Sequence, residues 1–100
     1  MYIAMNRFQI KHGKESVFEN IWRNRDTHLK NVPGFVEFHL LKGDTENDFT
    51  LYASHTIWDS KKNFIAWTKS EEFRKAHQGA GSNSEIYQGH PKFEGFDTVL

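Results

Sequence analysis

Three features of the sequence predict an α+β fold in the order strand, helix, strand, strand, helix, strand. Residues 2–10 alternate, placing Tyr2, Ala4, Asn6, Phe8 and Ile10 on one face, as a half-buried strand requires. Residues 14–29 set Val17, Phe18, Ile21, Trp22 and Leu29 at helical spacing. Residues 58–77 read as two short helices meeting at a break: Asp59 or Ser60 can cap the first, and Ser70, followed by Glu71 and Glu72, can cap the second.

The remaining elements come in order. Lys11 to Gly13 turn the first strand into the helix, and Val32-Pro33-Gly34 ends the helical segment. A second strand is expected at about 35–42, a polar turn at 43–47 and a third strand at 49–57, together a hairpin. After the broken helix comes a Gly-, Ser- and Asn-containing stretch at 79–91, read as a solvated connection or a mobile lid, then a last strand at 93–99. This is the ferredoxin-like βαββαβ arrangement: a four-stranded antiparallel sheet with its helices on one face, one domain over residues 1–100. The second strand is apolar on both parities, Phe35 and Leu41 on one, Val36, Phe38 and Leu40 on the other. A second copy of the sheet is the economical cover for the far face, so a homodimer is expected.

Composition narrows the function. With no cysteine, disulfides, iron-sulfur clusters, thiolate zinc sites and thiol nucleophiles are excluded. Thirteen basic residues balance thirteen acidic ones, which leaves no field to attract nucleic acid. No apolar run suits a signal peptide or a membrane span, so a soluble, cytoplasmic protein is expected. The six histidines form no His-x-His pair or His-Glu-x-x-His motif, and no phosphate-binding glycine loop or Gly-x-Ser-x-Gly elbow occurs. What stands out is fifteen aromatic residues, enough to line either a tight core or a pocket for something large and flat.

Three residues carry most of the remaining information. Asn6 is an amide on an otherwise apolar strand face, so it must bond to backbone, to water or to a ligand. In the broken helix, Phe64 and Trp67 share one face, and Phe73, Ala76 and His77 share another. An imidazole on such a stripe is either a core histidine tied to a carbonyl or a haem ligand, with the small Ala76 leaving room for a macrocycle. Trp22 is either core or pocket wall.

In this order and spacing, Asn6-Arg7, Gly34-Phe35, Trp58 with Ser60, Phe64, Trp67, Ser70, Phe73, Ala76 and His77 resemble the IsdG-type haem-degrading monooxygenases. These belong to the antibiotic biosynthesis monooxygenase-like, dimeric α/β barrel superfamily, and the resemblance runs over nearly the whole chain. It implies an enzyme, a haem oxygenase that takes haem b as both substrate and cofactor and opens the porphyrin at a meso carbon to a bilin with release of iron. His77 would be the axial ligand of the haem iron. Asn6 would donate toward the open side of the iron, and Trp67 would press the porphyrin out of plane. Phe73, Phe64 and Trp22 would complete the haem pocket. Dioxygen and an external electron donor are required, because no flavin or nicotinamide fingerprint is present; a reductase is the implied partner, replaceable by ascorbate in vitro. Arg23, Arg25, Lys92 and His90 stand as equal candidates for the haem propionates. The product stays open between biliverdin with carbon monoxide and an oxo-bilirubin with formaldehyde. Two other activities fit the same barrel: a cofactor-free quinol or anthrone monooxygenase, and a non-catalytic haem carrier.

Overall fold

The computed structural model describes residues 1–77 and 85–100. The strands are β1 (Tyr2–Lys11), β2 (Phe35–Thr45), β3 (Phe49–Trp58) and β4 (Lys92–Asp97), and the helices are α1 (Glu15–Asn24), α2 (Lys61–Thr68) and α3 (Glu71–Ala76). The sheet is antiparallel with strand order β2-β3-β1-β4, so the two ends of the chain supply its second edge and its centre. This is the ferredoxin-like arrangement expected from the sequence. Part of the stretch read as a connection or lid, residues 79–84, lies outside the described residues.

The register shows why the alternation in β1 is informative. Tyr2, Ala4, Phe8 and Ile10 are buried on the helix side, with Asn6 half-buried among them. Asn6 pairs with Ser54 of β3 on one side and Phe93 of β4 on the other, which puts all three side chains on that face near the middle of the sheet.

The broken helix forms as its caps dictate. Ser60 Oγ accepts the backbone N–H of Asn63 at the start of α2, and Ser70 Oγ accepts that of Phe73 at the start of α3. Ser70 also donates its hydroxyl to the carbonyl of Trp67 at 2.6 Å, joining the end of one helix to the beginning of the next. At the chain's entry to this region Gly34 has φ +83°, and a Cβ there would collide with the Asn63 side chain, so only glycine fits.

Four expectations need correction. First, α1 ends at Asn24 rather than near residue 29. The Asp26 carboxylate accepts the backbone N–H of His28, and His28 adopts φ 56°, a local turn that outcompetes helix in a stretch of weak helix formers. Leu29 is buried nonetheless, from a loop, whereas Val17 is exposed.

Second, β2 continues to Thr45, shortening the expected turn at 43–47. Third, a register shift between Phe35 and Glu37 makes Val36 an extra residue, so Phe35 joins Phe38 on the helix side instead of sharing a face with Leu41. Fourth, the connection over 85–91 is solvated except at two residues that anchor it to the core. Ile86 is fully buried and Tyr87 bridges to Ile10. The last strand is also displaced slightly, covering Lys92–Asp97.

Beyond the helices, the far face of the sheet carries Ile3, Met5, Leu51 and Ile57, with the exposed Leu41 and Phe96 at its two sides. The core splits into two clusters. One gathers Phe8, Ile10, Phe18, Tyr52 and Ile86 beneath α1. The other gathers Tyr2, Ala4, Leu29, Trp58 and Trp67 beneath α2 and α3.

Candidate active site

Between the two clusters the helix face opens into a cavity of about 910 Å³. That is within the range of sites holding drug-sized or cofactor-sized molecules. Asn6 lies on the sheet between Ala4, which belongs to one cluster, and Phe8, which belongs to the other; all three line the cavity. Trp22 comes from α1, Phe64 and Trp67 from α2, and Phe73 and His77 from α3 and its cap. The six residues singled out in the sequence therefore meet around one space.

His77 is the C-cap of α3 and is held in two ways. Its Nδ1 donates to the carbonyl of Phe73 at 2.8 Å, and its ring stacks on that of Phe73 with centroids 4.0 Å apart at 27°. Because a carbonyl only accepts, the hydrogen sits on Nδ1, and in the neutral ring Nε2 keeps its lone pair. This is how metal-ligating histidines are oriented, with the far nitrogen anchored and the near one free to ligate. The break at Ser70 brings this about: α3 begins anew beside Trp67, whose ring lies 6.0 Å from that of His77 and 4.8 Å, edge-on, from that of Phe73.

The wall is aromatic and short of polar partners. Trp67 Nε1 and Trp22 Nε1 are buried with no hydrogen-bond partner among the described residues. Phe64 stacks on Phe93 at 5.6 Å and 9°, and Trp22 stacks on Phe38 at 5.6 Å and 21°. Among the described residues the Asn6 side chain makes no hydrogen bond, which leaves an unspent amide donor on the floor. No three His, Asp or Glu side chains converge to hold a bare metal ion among the described residues. An iron here would have one protein ligand, His77, and would need the rest of its coordination from the molecule that carried it in. The donor set thus fits haem, a flat apolar substrate that brings four nitrogens of its own.

Phe38, Phe93 and Tyr87 also line the cavity and were not singled out from the sequence, whereas Arg25 and His90, two of the four candidates for the haem propionates, line it too. The side of the sheet that Phe38 takes depends on the bulge at Val36, Phe93 needs the pairing of distant strands, and Tyr87 belongs to a stretch without periodicity. No local signal marked them. The part-buried carboxylate contacts among the described residues lie elsewhere, beneath α1. There Tyr52 donates to Glu19 at 2.5 Å, and this bond lowers the Glu19 carboxyl below its ordinary range. Glu15 is lowered in the same way, by its own backbone N–H first and then by the Thr50 hydroxyl.

A ferredoxin-like sheet with an aromatic cavity on its helix face is the architecture of a class of small oxygenases, and the comparison with family models agrees. The chain belongs to the antibiotic biosynthesis monooxygenase family, whose model matches residues 1–79. Membership makes it an enzyme of the monooxygenase kind, and its relatives bear out the IsdG-type resemblance. It is 32% identical over 89 residues to the heme oxygenase (staphylobilin-producing) of Staphylococcus haemolyticus, covering 84% of this chain and 80% of that one. It is 29% identical over 79 residues to the protein of the same name from Staphylococcus saprophyticus, covering 79% of this chain and 75% of that one. Among solved structures it is similar to the heme degrader MhuD of Mycobacterium tuberculosis, which has two hemes bound in its active site. The TM-score is 0.76 at 26% identity, over 100% of this chain and 97% of that one.

Proposed function

We propose that this protein is a haem-degrading monooxygenase that binds haem in the cavity between its two core clusters. The observation that carries the reading is His77: an imidazole on the cavity wall with Nδ1 engaged by Phe73 and Nε2 left for a metal. When bound, haem supplies both the redox-active iron at which dioxygen is activated and the meso carbon that is oxidised.

The chain's own residues do the rest. His77 would hold the iron through Nε2. Asn6 would offer its amide N–H to the reacting oxygen, a preorganised donor on a wall lined largely by aromatic side chains. Trp67, wedged between Trp58, Phe64 and Phe73, is a rigid edge that would bear on the macrocycle. Phe64, Phe73 and Trp22 enclose the ring. Electrons come from an external reductant, with a cytoplasmic reductase as the expected partner.

The working unit is a homodimer over one domain per chain, residues 1–100. The apolar far face, including Ile3, Met5 and Ile57 with the exposed Leu41 and Phe96, is the surface a second sheet would cover. Analytical ultracentrifugation at micromolar concentration should give twice 11.8 kDa. A single species at the mass of one chain would refute the dimer.

The test of the activity is an absorbance titration with hemin, followed by ascorbate and catalase in air, on wild type and His77→Ala side by side. A saturable Soret band that bleaches in wild type, with ligation lost or changed in the variant, is the expected result. A flat titration in wild type would reject haem as substrate.

A further inference from the structure

The sheet forms the floor of the cavity, and three of the residues it contributes carry a side-chain oxygen or nitrogen: Asn6, Ser54 and Thr56. Thr56 is committed, its hydroxyl donating to the carbonyl of Ala4 at 3.2 Å. Asn6 and Ser54 make no side-chain hydrogen bond among the described residues, although both are half-buried and stand directly opposite one another on β1 and β3. Their other neighbours in the sheet are apolar. Phe93 lies across from Asn6 on β4, Leu40 lies across from Ser54 on β2, and Ala4 and Phe8 come next on the same face of β1.

This pairing answers a weakness in what is asked of Asn6. A carboxamide has a donor end and an acceptor end, and its terminal torsion is soft, so a half-turn exchanges them. Only the N–H end serves an oxygen that gathers electron density, and the carbonyl end repels it. The amide therefore needs a donor that engages its carbonyl oxygen, and the Ser54 hydroxyl has one hydrogen to give. Directly opposite residues on one face have Cβ atoms about 4.5–5.5 Å apart, a gap that a hydroxyl and an amide oxygen close with an ordinary bond of about 2.7–2.8 Å. The bond is not made in this structure, and filling the cavity is what favours it. With a flat apolar molecule over the floor, water no longer serves either group, and each has the other as its polar neighbour across the strands.

Building on the haem reading, we propose that Ser54 is a positioning residue: with substrate bound, its hydroxyl donates to Asn6 Oδ1 and so presents the amide N–H to the open side of the iron. Ser54 acts through Asn6 and makes no contact of its own with the reacting oxygen.

The test uses carbon monoxide as a probe on the reduced, haem-loaded protein, because its stretching frequency falls when a donor points at it and the measurement needs no turnover. Wild type, Ser54→Ala, Ser54→Thr, Asn6→Ala and the double variant Ser54→Ala/Asn6→Ala are compared, with Soret titration reading haem affinity and thermal melting reading the fold. Wild type should give one low-frequency band. Ser54→Ala should move intensity to the higher frequency of Asn6→Ala as the amide turns. It should also degrade haem about 2- to 10-fold more slowly, the range of one neutral hydrogen bond, at unchanged haem affinity. Ser54→Thr, which keeps the hydroxyl, should restore the wild-type band. In the double variant the serine change should add nothing to Asn6→Ala. A wild-type band in Ser54→Ala or in Asn6→Ala, or a further shift in the double variant, would overturn the proposal. A flat Soret titration of wild type would overturn the haem reading itself, a separate failure visible before any carbon monoxide is added.

Discussion

Beneath α1 the packing is closed and its carboxylates are answered: Phe8, Ile10, Phe18, Tyr52 and Ile86 fill the space, Glu19 takes the Tyr52 hydroxyl, and Glu15 takes that of Thr50. Beneath α2 and α3 the packing is aromatic and leaves polar atoms waiting. The rings of Trp58 and Trp67 pack 5.2 Å apart, and neither indole N–H has a partner among the described residues. The one unpaired indole on α1 belongs to Trp22, which also faces the cavity. A fully satisfied network rigidifies, and a partly satisfied one marks where a ligand is expected. The interior beneath α1 is therefore closed, and unanswered indole N–H groups meet at the cavity, from Trp67 of α2 and from Trp22 of α1. Trp58 does not line the cavity, and nothing in the structure explains its unpaired N–H.

If that division is right, mutations should separate melting from turnover according to the side they touch. Asn6→Ala gives the largest separation. Losing a hydrogen bond to a charged group costs about 1.5–3 kcal/mol, so haem degradation should slow about 10- to 100-fold while haem still binds and melting hardly moves. Wild-type turnover in that variant would remove Asn6 from the reaction. Trp67→Phe tests the boundary, because Trp67 belongs both to a core cluster and to the cavity wall. A partly filled void should cost about 1–2 kcal/mol, so both turnover and melting should fall. A drop in melting temperature with unchanged turnover would return Trp67 to the core alone.

Tyr52→Phe is the complementary test beneath α1. It should lower the melting temperature by about 5–15 °C, from about 1–2 kcal/mol of lost hydrogen bonding, and leave the haem affinity of the folded protein unchanged. A change in the Soret titration of this variant would blur the two halves.

The smallest effect is in pH. The lowered carboxyls of Glu15 and Glu19 release protons more readily in the folded chain, so their stabilisation is present above the ordinary value near 4.5 and is lost as pH falls through their lowered values. Burial first, and Glu19 second, raise the Tyr52 phenol above 10, so its contribution is lost as pH climbs past that value. Thermal melts across pH should decline at both ends, and Glu19→Gln should flatten the acid limb.

How legible each part was in the sequence depends on how local its cause is. Ser60 and Ser70 bond to backbone three residues away, so the break in the helix, and with it the approach of Trp67 to His77, could be read directly. The face of β1 carrying Asn6 was readable from simple alternation. The end of α1 was not, because helical spacing says nothing of the Asp26 turn that competes with it. Phe35 was assigned to the wrong face because a single extra residue, Val36, reverses the parity between Phe35 and the rest of β2. Ile86 and Tyr87 show no pattern at all, since contact with distant Ile10, Phe8 and Phe18 creates their environment.

The Ser70 hydroxyl, which donates to Trp67 O and accepts from Phe73 N, has a mechanical meaning. It works as a hinge pin: one oxygen atom couples the end of α2, next to Trp67, to the start of α3, which carries Phe73 and is capped by His77. The spacing of the Trp67 and His77 rings, 6.0 Å between centroids, is thereby tied to one backbone joint rather than to side-chain adjustment alone.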